Sequence, residues 1–319
     1  ADVLRRPDYA AVAQETLAFM RAEMGDSSGA LIASLSALDD KDVEGGYYLW
    51  DNDALAAVLD APERNAYRGA YGMTDAPPFE AGYLPIPAAS TDAAAPAQLE
   101  RNDALERART KLKAARAQRQ LPRDTKRLAG WNGLALSAYA EAARTTGNDA
   151  YRTTGVGVRD YLVRTLWNGK RLRRAVEGGR AVGAAALEDY AYVAEGLLAW
   201  ARLTQKADDY ALARAVARVA WTLFYTPRGW RLAERSLMAA EPGQDIVADG
   251  PLPSPSAVLI AVSLALAERG DADLRRRALG ALNSGHELLK EDPFWYATHV
   301  GASERAADTA VTSTQKKKL

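Results

Sequence analysis

The sequence predicts an all-α protein built from stacked helical hairpins. Two observations lead to this fold class. Apolar residues recur at helical spacing over most of the chain, and a pair of helices in the second half is followed by a second pair with matching end signals. The chain has 319 residues, 48% of them apolar, which suffices for one large domain or two ordinary ones.

The first half predicts short helices separated by loops. An amphipathic helix is expected over residues 8–24, with Asp8 as its N-cap, and shorter helical stretches are expected over 51–72. Residues 98–120 are rich in strong helix formers. The segment 74–96 contains five prolines, which interrupt helical hydrogen bonding, so it predicts a surface loop.

The second half predicts three pairs of helices. They span 131–146, 149–167, 187–205, 208–225, 255–269 and 271–290. The first pair is joined through Ala-Arg-Thr-Thr at 143–146, and the second through Ala-Arg-Leu-Thr at 201–204, each followed by Asp and Tyr. The repeating unit is therefore an αα-hairpin of roughly 55 to 70 residues, with a fainter third copy.

Such hairpins stack as an open solenoid or close into a ring. We expect the ring, an (α/α)6 toroid, because a closed ring would gather the long polar and aromatic connections at one end; these are 25–50, 168–186 and 226–253. Residues 7–9 match the middle of a repeat, which predicts an N-terminally incomplete toroid. This domain is expected over 1–300, and a disordered tail over 301–319, where periodic apolar positions end.

The composition argues against several functions. Lys plus Arg and Asp plus Glu both total 41, so no net charge attracts nucleic acid or an anionic membrane. Without cysteine the chain has no disulfide, thiolate nucleophile or Cys-ligated zinc. The longest mainly apolar run, 257–267, is about half of what a membrane helix needs. We therefore expect no nucleic-acid or membrane partner, no metal and no cofactor, and the compartment stays open.

The densest polar cluster is Asp-Asp-Lys-Asp-Val-Glu-Gly-Gly-Tyr-Tyr-Leu-Trp at 39–50. Sugar sites use this mixture, because aromatic faces bury the C–H side of a pyranose while carboxylates bind hydroxyls or transfer protons. Asp39 and Glu44 are candidate acid or base groups, and Tyr48 and Trp50 are candidate substrate-binding residues. The alternative is a solvated acidic turn followed by a short strand and a helix cap.

A second cluster, residues 124–134, is a polar loop that leads into a helix. Asp124 is a candidate catalytic carboxylate and Lys126 a candidate substrate-binding residue. Asn132 and the free N–H groups of the first helical turn are suited to an oxygen ligand, with Trp131 as a stacking wall. Alternatively, Asn132 is a helix cap and Trp131 fills the core.

Two further candidate regions lie at helix starts. Glu188 and Asp189 are candidate catalytic acids and Tyr190 a candidate substrate-binding residue, although two acids at a helix start also complement its dipole. Ser254 occupies the equivalent place before the next helix and is a candidate substrate-binding residue. In a closed ring, the equivalent positions of successive hairpins lie close together.

The two histidines and one basic segment are not taken as functional. Sugar epimerases on helical toroids use paired histidines, but His286 is expected outside the ring and His299 near the frayed end, so neither is taken as a catalyst. Residues 101–127 carry ten Lys or Arg against three Asp or Glu. Without interleaved aromatics, they favour a solvated helix face over an RNA site.

Five motifs follow one another in order at 39–50, 71–80, 124–134, 187–191 and 249–254. In this order they resemble the helical C-terminal part of the spermatogenesis-associated protein 20 family, over about residues 8 to 270. The sequence departs from that pattern at Ala37-Leu38-Asp39, where Asp-Ala-Asp is expected, and at Pro255. The resemblance implies a toroid similar to six-hairpin glycosidases and N-acylglucosamine 2-epimerases, with a thioredoxin-like domain upstream of this chain.

Two functions remain open. The first is a carbohydrate-binding or carbohydrate-processing toroid with a sugar ligand, of glycoside hydrolase or sugar epimerase type. Hydrolysis requires two facing carboxyl groups, about 5 to 5.5 Å apart for retention or about 6.5 to 9.5 Å for inversion. The second is a non-catalytic domain that presents clients or partners to a thioredoxin-like domain. A pocket lined by Trp50, Trp131 and Tyr190 favours the first, a filled centre the second, and a purely structural solenoid is a third reading.

Overall fold

A computed structural model describes residues 6–88, 102–234 and 243–316. The chain forms two compact units, one of Ala1–Ala33 with Thr125–Leu319 and one of Ser34–Asp124, where the sequence predicts one domain over 1–300. None of the described helices is long and apolar enough to span a membrane.

The described residues are predominantly helical. The α-helices are α1 Pro7–Phe19, α2 Asn52–Val58, α3 Ala61–Ala70, α4 Asp103–Arg116, α5 Ala129–Thr146, α6 Asp149–Tyr161, α7 Leu187–Thr204, α8 Ala207–Phe224, α9 Pro255–Ala267, α10 Ala272–Ser284, α11 His286–Glu291 and α12 Ala297–Lys316. The α1 and α6 helices continue into π-helical turns at Met20–Met24 and Leu162–Leu166. The short strands are β1 Ser34–Leu35, β2 Arg123–Asp124, β3 Arg127–Leu128, β4 Arg173–Glu177, β5 Arg180–Ala184, β6 Tyr225–Thr226 and β7 Gly229–Trp230.

The larger unit is organised around α5, α7, α9 and α12. Each of these helices packs against the next one in this series, and α6, α8 and α10 each pack on the helix that precedes them in the chain. The predicted all-α class and the three helical hairpins are confirmed. Helix starts follow local capping, as at Asn148 before α6 and Asp271 before α10, whose side chains accept backbone N–H groups.

The α5 and α7 helices approach closely because glycines face each other at their contact. Gly133 of α5 lies against the backbone of Tyr192, so a Cβ atom at position 133 would stand 2.5 Å from the carbonyl carbon and oxygen of Tyr192. Gly196 of α7 likewise lies against the carbonyl of Gly133. This close contact fixes the register of the two helices and brings their first turns side by side.

The chain beyond residue 300 differs from the sequence prediction. The α12 helix covers Ala297–Lys316, where a disordered tail is expected from residue 301. Its first half carries alanines at the contact with α9, and Ala302 is buried there. Small helix-forming residues therefore give this segment a packed face without the large apolar residues on which the periodicity argument depends.

The smaller unit has its own apolar core, formed between α2, α3 and α4. Its members include Trp50, Leu55, Tyr67, Met73, Tyr83, Leu105 and Leu112. Buried Glu63 completes the capping box of α3 with Asp60 and binds Lys111 at 2.7 Å. The strands β1 and β2 pair antiparallel, with Ser34 opposite Asp124.

Candidate functional site

In the larger unit, the first turns of α5 and α7 meet at Asp189. Its carboxylate accepts hydrogen bonds from the N–H of Gly130 at 3.1 Å and of Ala186 at 2.9 Å. Gly130 fits this point closely, because a Cβ atom there would come within 3.2 Å of the Asp189 Oδ1 atom. Burial raises the pKa of Asp189 to about 6, although the two N–H groups and Arg174 act in the opposite direction.

Beside this buried carboxyl group lies a half-exposed ion pair. Arg174, on β4, donates from Nη2 to the Glu188 carboxylate at 2.9 Å, and its Nη1 atom lies 3.7 Å from Asp189. The pairing of β4 with β3 places Ala175 opposite Leu128, the residue before α5. Glu188 and Arg174 expose 41% and 40% of their side chains, so both can reach a bound molecule.

Trp131 follows Gly130 in the first turn of α5 and is 47% exposed. It therefore does not fill the core, and its indole is available for stacking. Asn132 is buried instead, where its amide donates to the carbonyls of Leu31 and Leu128, each at 3.0 Å, and accepts from the N–H of Leu31 at 2.8 Å. The two bonds to Leu31 tie α5 to that residue, and together the three bonds leave the Asn132 side chain no exposed atom for a ligand.

Tyr190 and Ser254 are also enclosed in protein. The Tyr190 hydroxyl accepts the N–H of Leu172 at 2.9 Å, and its ring packs against Phe224. Ser254 is the N-cap of α9 and accepts the N–H of Ala257. Asn132, Tyr190 and Ser254 are thus all almost fully buried, and their roles in substrate binding stay predictions. Lys126 is partly buried just before β3.

The first turns of α9 and α12 adjoin this region. The Tyr192 hydroxyl donates to the carbonyl of Pro253 at 2.6 Å, which links α7 to the start of α9. His299 is fully buried and its Nε2 lies 3.1 Å from the Ser256 hydroxyl. Burial lowers the pKa of His299 to about 4. This histidine therefore lies in the core at the start of α12, whereas its sequence position suggests a frayed end.

A second concave region of the larger unit lies between α5, α7, α9 and α12, a cavity of about 340 Å³. It holds two glutamates of opposite character. Burial raises the pKa of Glu195, and hydrogen bonding to Arg144 lowers that of Glu141. Such a difference suits one acid and one base. The sequence argument misses this pair, although a lone glutamate inside the otherwise apolar middle of α7 is a signal that could have found it.

In the smaller unit, Asp39 builds a turn. Its carboxylate accepts the N–H groups of Lys41 at 2.9 Å and Val43 at 3.0 Å, and these bonds lower the pKa of Asp39. Glu44 is exposed at the other end of this turn, where its backbone forms an isolated antiparallel bridge with that of Leu38. The acidic-turn alternative therefore accounts for Asp39. The remaining carboxylate of the predicted set, Asp124, ends β2 and is partly buried.

The segment after this turn is held by Arg119, which sequence reasoning did not single out. Its Nη1 atom donates to the carbonyls of Gly46, Tyr47 and Leu49 at 2.7 to 3.0 Å, and the guanidinium lies 4.0 Å above the ring of Trp50. Burial lowers the pKa of Arg119. Because this arginine is 69 positions away from Trp50 in the sequence, no local pattern reveals the contact.

Next to Trp50 the smaller unit forms a cavity of about 320 Å³, which we call the aromatic–basic pocket. It is lined by Tyr48, Trp50, Tyr67, Tyr71, Leu84, Pro85, Arg109, Leu112, Lys113 and Arg116. The predicted sugar-binding residues Tyr48 and Trp50 thus share a pocket, but with basic residues in place of the predicted carboxylates. Across the described parts of both units, no three His, Asp or Glu side chains are arranged to hold a metal ion.

Neither a family model nor a curated protein matches this chain. Among solved structures, similarity is found to a sugar epimerase from a ruminal bacterium (TM-score 0.47, 15% identity, covering 60% of this chain and 57% of that one). The others include a GH76 alpha-mannanase from Bacteroides thetaiotaomicron (TM-score 0.45, 10% identity, 94% and 79% covered) and a cellobiose 2-epimerase from Bacillus thermoamylovorans (TM-score 0.42, 9% identity, 94% and 85% covered). The chain thus spans less than two thirds of the first of these, and such weak similarities transfer no residue role.

Proposed function

We propose that the chain binds carbohydrate at the first turns of α5 and α7. Trp131 supplies the stacking face for a sugar ring, and the Glu188–Arg174 pair supplies hydrogen-bonding groups for its hydroxyls. The observation that carries this proposal is the exposure of Trp131, 47%, directly beside the buried contact of Gly130 with Asp189.

The chemistry of these groups matches a sugar. A half-exposed indole on the first turn of a helix is a rigid apolar surface, which the C–H face of a pyranose covers well. A carboxylate and a guanidinium at 2.9 Å offer acceptors and donors together, which is the combination that vicinal hydroxyls require. Both groups keep enough exposure to exchange water for ligand without breaking the core.

Asp189 serves this site as a positioning residue. Its two oxygens already accept N–H groups from the starts of α5 and α7, so it fixes the backbone that presents Trp131 and Glu188. Glu141, of the second concave region, lies ten positions further along α5 than Trp131. At 1.5 Å per residue this is about 15 Å, so the acid and base candidates there do not act on a monosaccharide stacked on Trp131.

The context of the site is a separate proposal. The resemblance to the spermatogenesis-associated protein 20 family rests on the five ordered motifs alone, and it would imply a thioredoxin-like domain upstream.

The proposal is tested by titrating glucose, mannose and cellobiose into the wild type and into Trp131→Ala by isothermal calorimetry. At least one sugar should bind the wild type, and loss of the indole should weaken that binding about fivefold or more, since an aromatic contact contributes about 1 kcal/mol beyond its area.

The matched control is Phe19→Ala, which removes another exposed aromatic ring, 44% accessible, from α1. This variant should bind as the wild type does. Absence of binding to the wild type, or equal binding by Trp131→Ala, would contradict the proposed function.

A further inference from the structure

The aromatic–basic pocket has its cations on one face of α4. Arg109, Lys113 and Arg116 stand at spacings of four and three residues, which places them above one another along the helix. The opposite wall comes from the Tyr47–Trp50 segment and from α3. The basic residues of α4 thus lie next to aromatic side chains in the folded unit, although no aromatic residues are interleaved with them in the sequence.

The positive charge of this pocket is only partly balanced. Arg109 donates to the Tyr71 hydroxyl at 3.0 Å and pairs with Glu106 at 2.7 Å. Neither Lys113 nor Arg116 has a carboxylate partner among the described residues of this unit. Arg116 lies instead 5.4 Å from the centre of the Tyr48 ring. Two cations are therefore free to pair with an external anion.

A merely solvated helix face does not account for these features. Solvated faces are convex and need no aromatic wall, whereas this one borders a cavity of about 320 Å³, the lower end of the range for ligand pockets. Trp50 and Tyr67 are almost fully buried behind it, and Tyr48 and Tyr71 remain partly exposed at its surface. The partly exposed rings supply apolar faces, and the cations stand beside them.

We infer that the aromatic–basic pocket binds an anionic pyranose, with the sugar ring against Tyr48 and Tyr71 and its carboxylate or phosphate on Lys113 and Arg116. The anionic half of this inference follows from the pocket alone, and the pyranose half rests on the proposed carbohydrate function. Guanidinium and ammonium groups form charge-assisted hydrogen bonds with both kinds of anion.

A flat aromatic ligand such as a nucleobase fits this pocket less well. The rings of Tyr67 and Tyr71 are inclined by 46° with centroids 4.5 Å apart, so they form no parallel-walled slot. Bases stack on open, parallel ring faces, whereas a saturated ring needs only one exposed ring face against its C–H side. The zero net charge of the chain also provides no long-range attraction for a nucleic acid.

The test uses calorimetry at low salt in the Trp131→Ala background, which removes the site proposed in the larger unit. Glucuronate and glucose 6-phosphate are compared with glucose, inorganic phosphate and AMP. Both anionic sugars should bind about tenfold or more tightly than glucose, because one charge-assisted contact is worth about 1.5 kcal/mol or more. Added salt should weaken them.

The variant Lys113→Gln/Arg116→Gln should remove this preference, and Arg107→Gln is its control. Arg107 is on the same helix, 57% exposed, and points to Glu63, which keeps Lys111 as its partner. Circular dichroism and the melting temperature show whether each variant is folded.

Equal binding of glucose and glucuronate, or unchanged binding by the folded double variant, would overturn the inference. Equally tight binding of inorganic phosphate or AMP would overturn its pyranose half. The two sites fail separately: Trp131→Ala weakens the binding of neutral sugars only, and the double variant removes the preference for anionic sugars only.

Discussion

The Asp189 side chain makes the stability of the contact between α5 and α7 depend on pH. Its carboxyl group is buried between the N–H groups of Gly130 and Ala186, and burial raises its pKa from the ordinary value of 3.8 to about 6. The folded state therefore holds this proton more tightly than the unfolded state does. The resulting stabilisation is fully present below pH 3.8 and is lost as the pH rises through about 6.

The variant Asp189→Asn should remove this dependence, because the amide carries no charge at any pH. Between pH 4 and pH 6.5, the free energy of unfolding of the wild type relative to the variant should fall by about 2 kcal/mol. Urea unfolding at several pH values measures the difference. A constant difference across this range would contradict the burial of a titrating carboxyl group here.

Single residues also show where sequence reasoning stops. The motif Leu-Glu-Asp-Tyr at 187–190 identifies a helix start with acids, but not which acid is buried. Asp189 is buried at the point where Gly130, 59 positions earlier, lets the two helices meet, and Glu188, the next residue along the helix, stays 41% exposed beside Arg174. Such long-range contacts leave no local pattern.

Among the elements, the contact between α5 and α7 is the most sensitive to added volume. A methyl group at Gly133 would stand 2.5 Å from the carbonyl of Tyr192, and backbone cannot rotate away as a side chain can. We expect Gly133→Ala to destabilise the protein by about 1 to 3 kcal/mol or more, as overpacking does. Thermal or urea unfolding measures this loss.

Gly280→Ala is the matched control. Gly280 lies within α10, and no atom stands within 4 Å of an added Cβ. Alanine there should stabilise the protein by about 0.5 to 1 kcal/mol, through its higher helix propensity. Two Gly→Ala changes of opposite sign would show that packing, not glycine content, sets the effect, and a stabilising Gly133→Ala would exclude the close contact.

Helices are also the level at which sequence prediction succeeds. The predicted helices 131–146 and 187–205 correspond to α5 and α7 within two residues at each end, because periodicity and end signals are local properties. The proline-rich prediction over 74–96 agrees with the irregular structure at 74–88, and its remainder lies outside the described residues. By contrast, the separate core of the smaller unit depends on contacts between distant segments, as with Arg119 and Trp50.

At the scale of the whole molecule, His299 changes the free energy of unfolding with pH in the direction opposite to Asp189. Burial lowers the pKa of His299 from 6.5 to about 4, so the unfolded state binds its proton more tightly between these values. This contribution makes the protein more stable as the pH rises from 4 to 6.5, by about 2 to 3 kcal/mol. Glu195, whose pKa burial raises, adds to the effect of Asp189. Asp249, near His299, has a lowered pKa and acts below pH 3.8.

The contributions of Asp189 and His299 oppose each other between pH 4 and pH 6.5, so each should offset much of the other in the free energy of unfolding of the wild type. The variant His299→Gln should uncover the opposing carboxyl groups, so its stability should fall by about 2 kcal/mol as the pH rises over this range. Asp189→Asn should show the reverse slope. Urea unfolding of all three proteins at matched pH measures these slopes. Parallel plots of unfolding free energy against pH would contradict opposing contributions from Asp189 and His299. Compensation of this kind hides two strongly shifted groups from unfolding measurements on the wild type alone, so the free energy of unfolding reveals them only when one of them is removed.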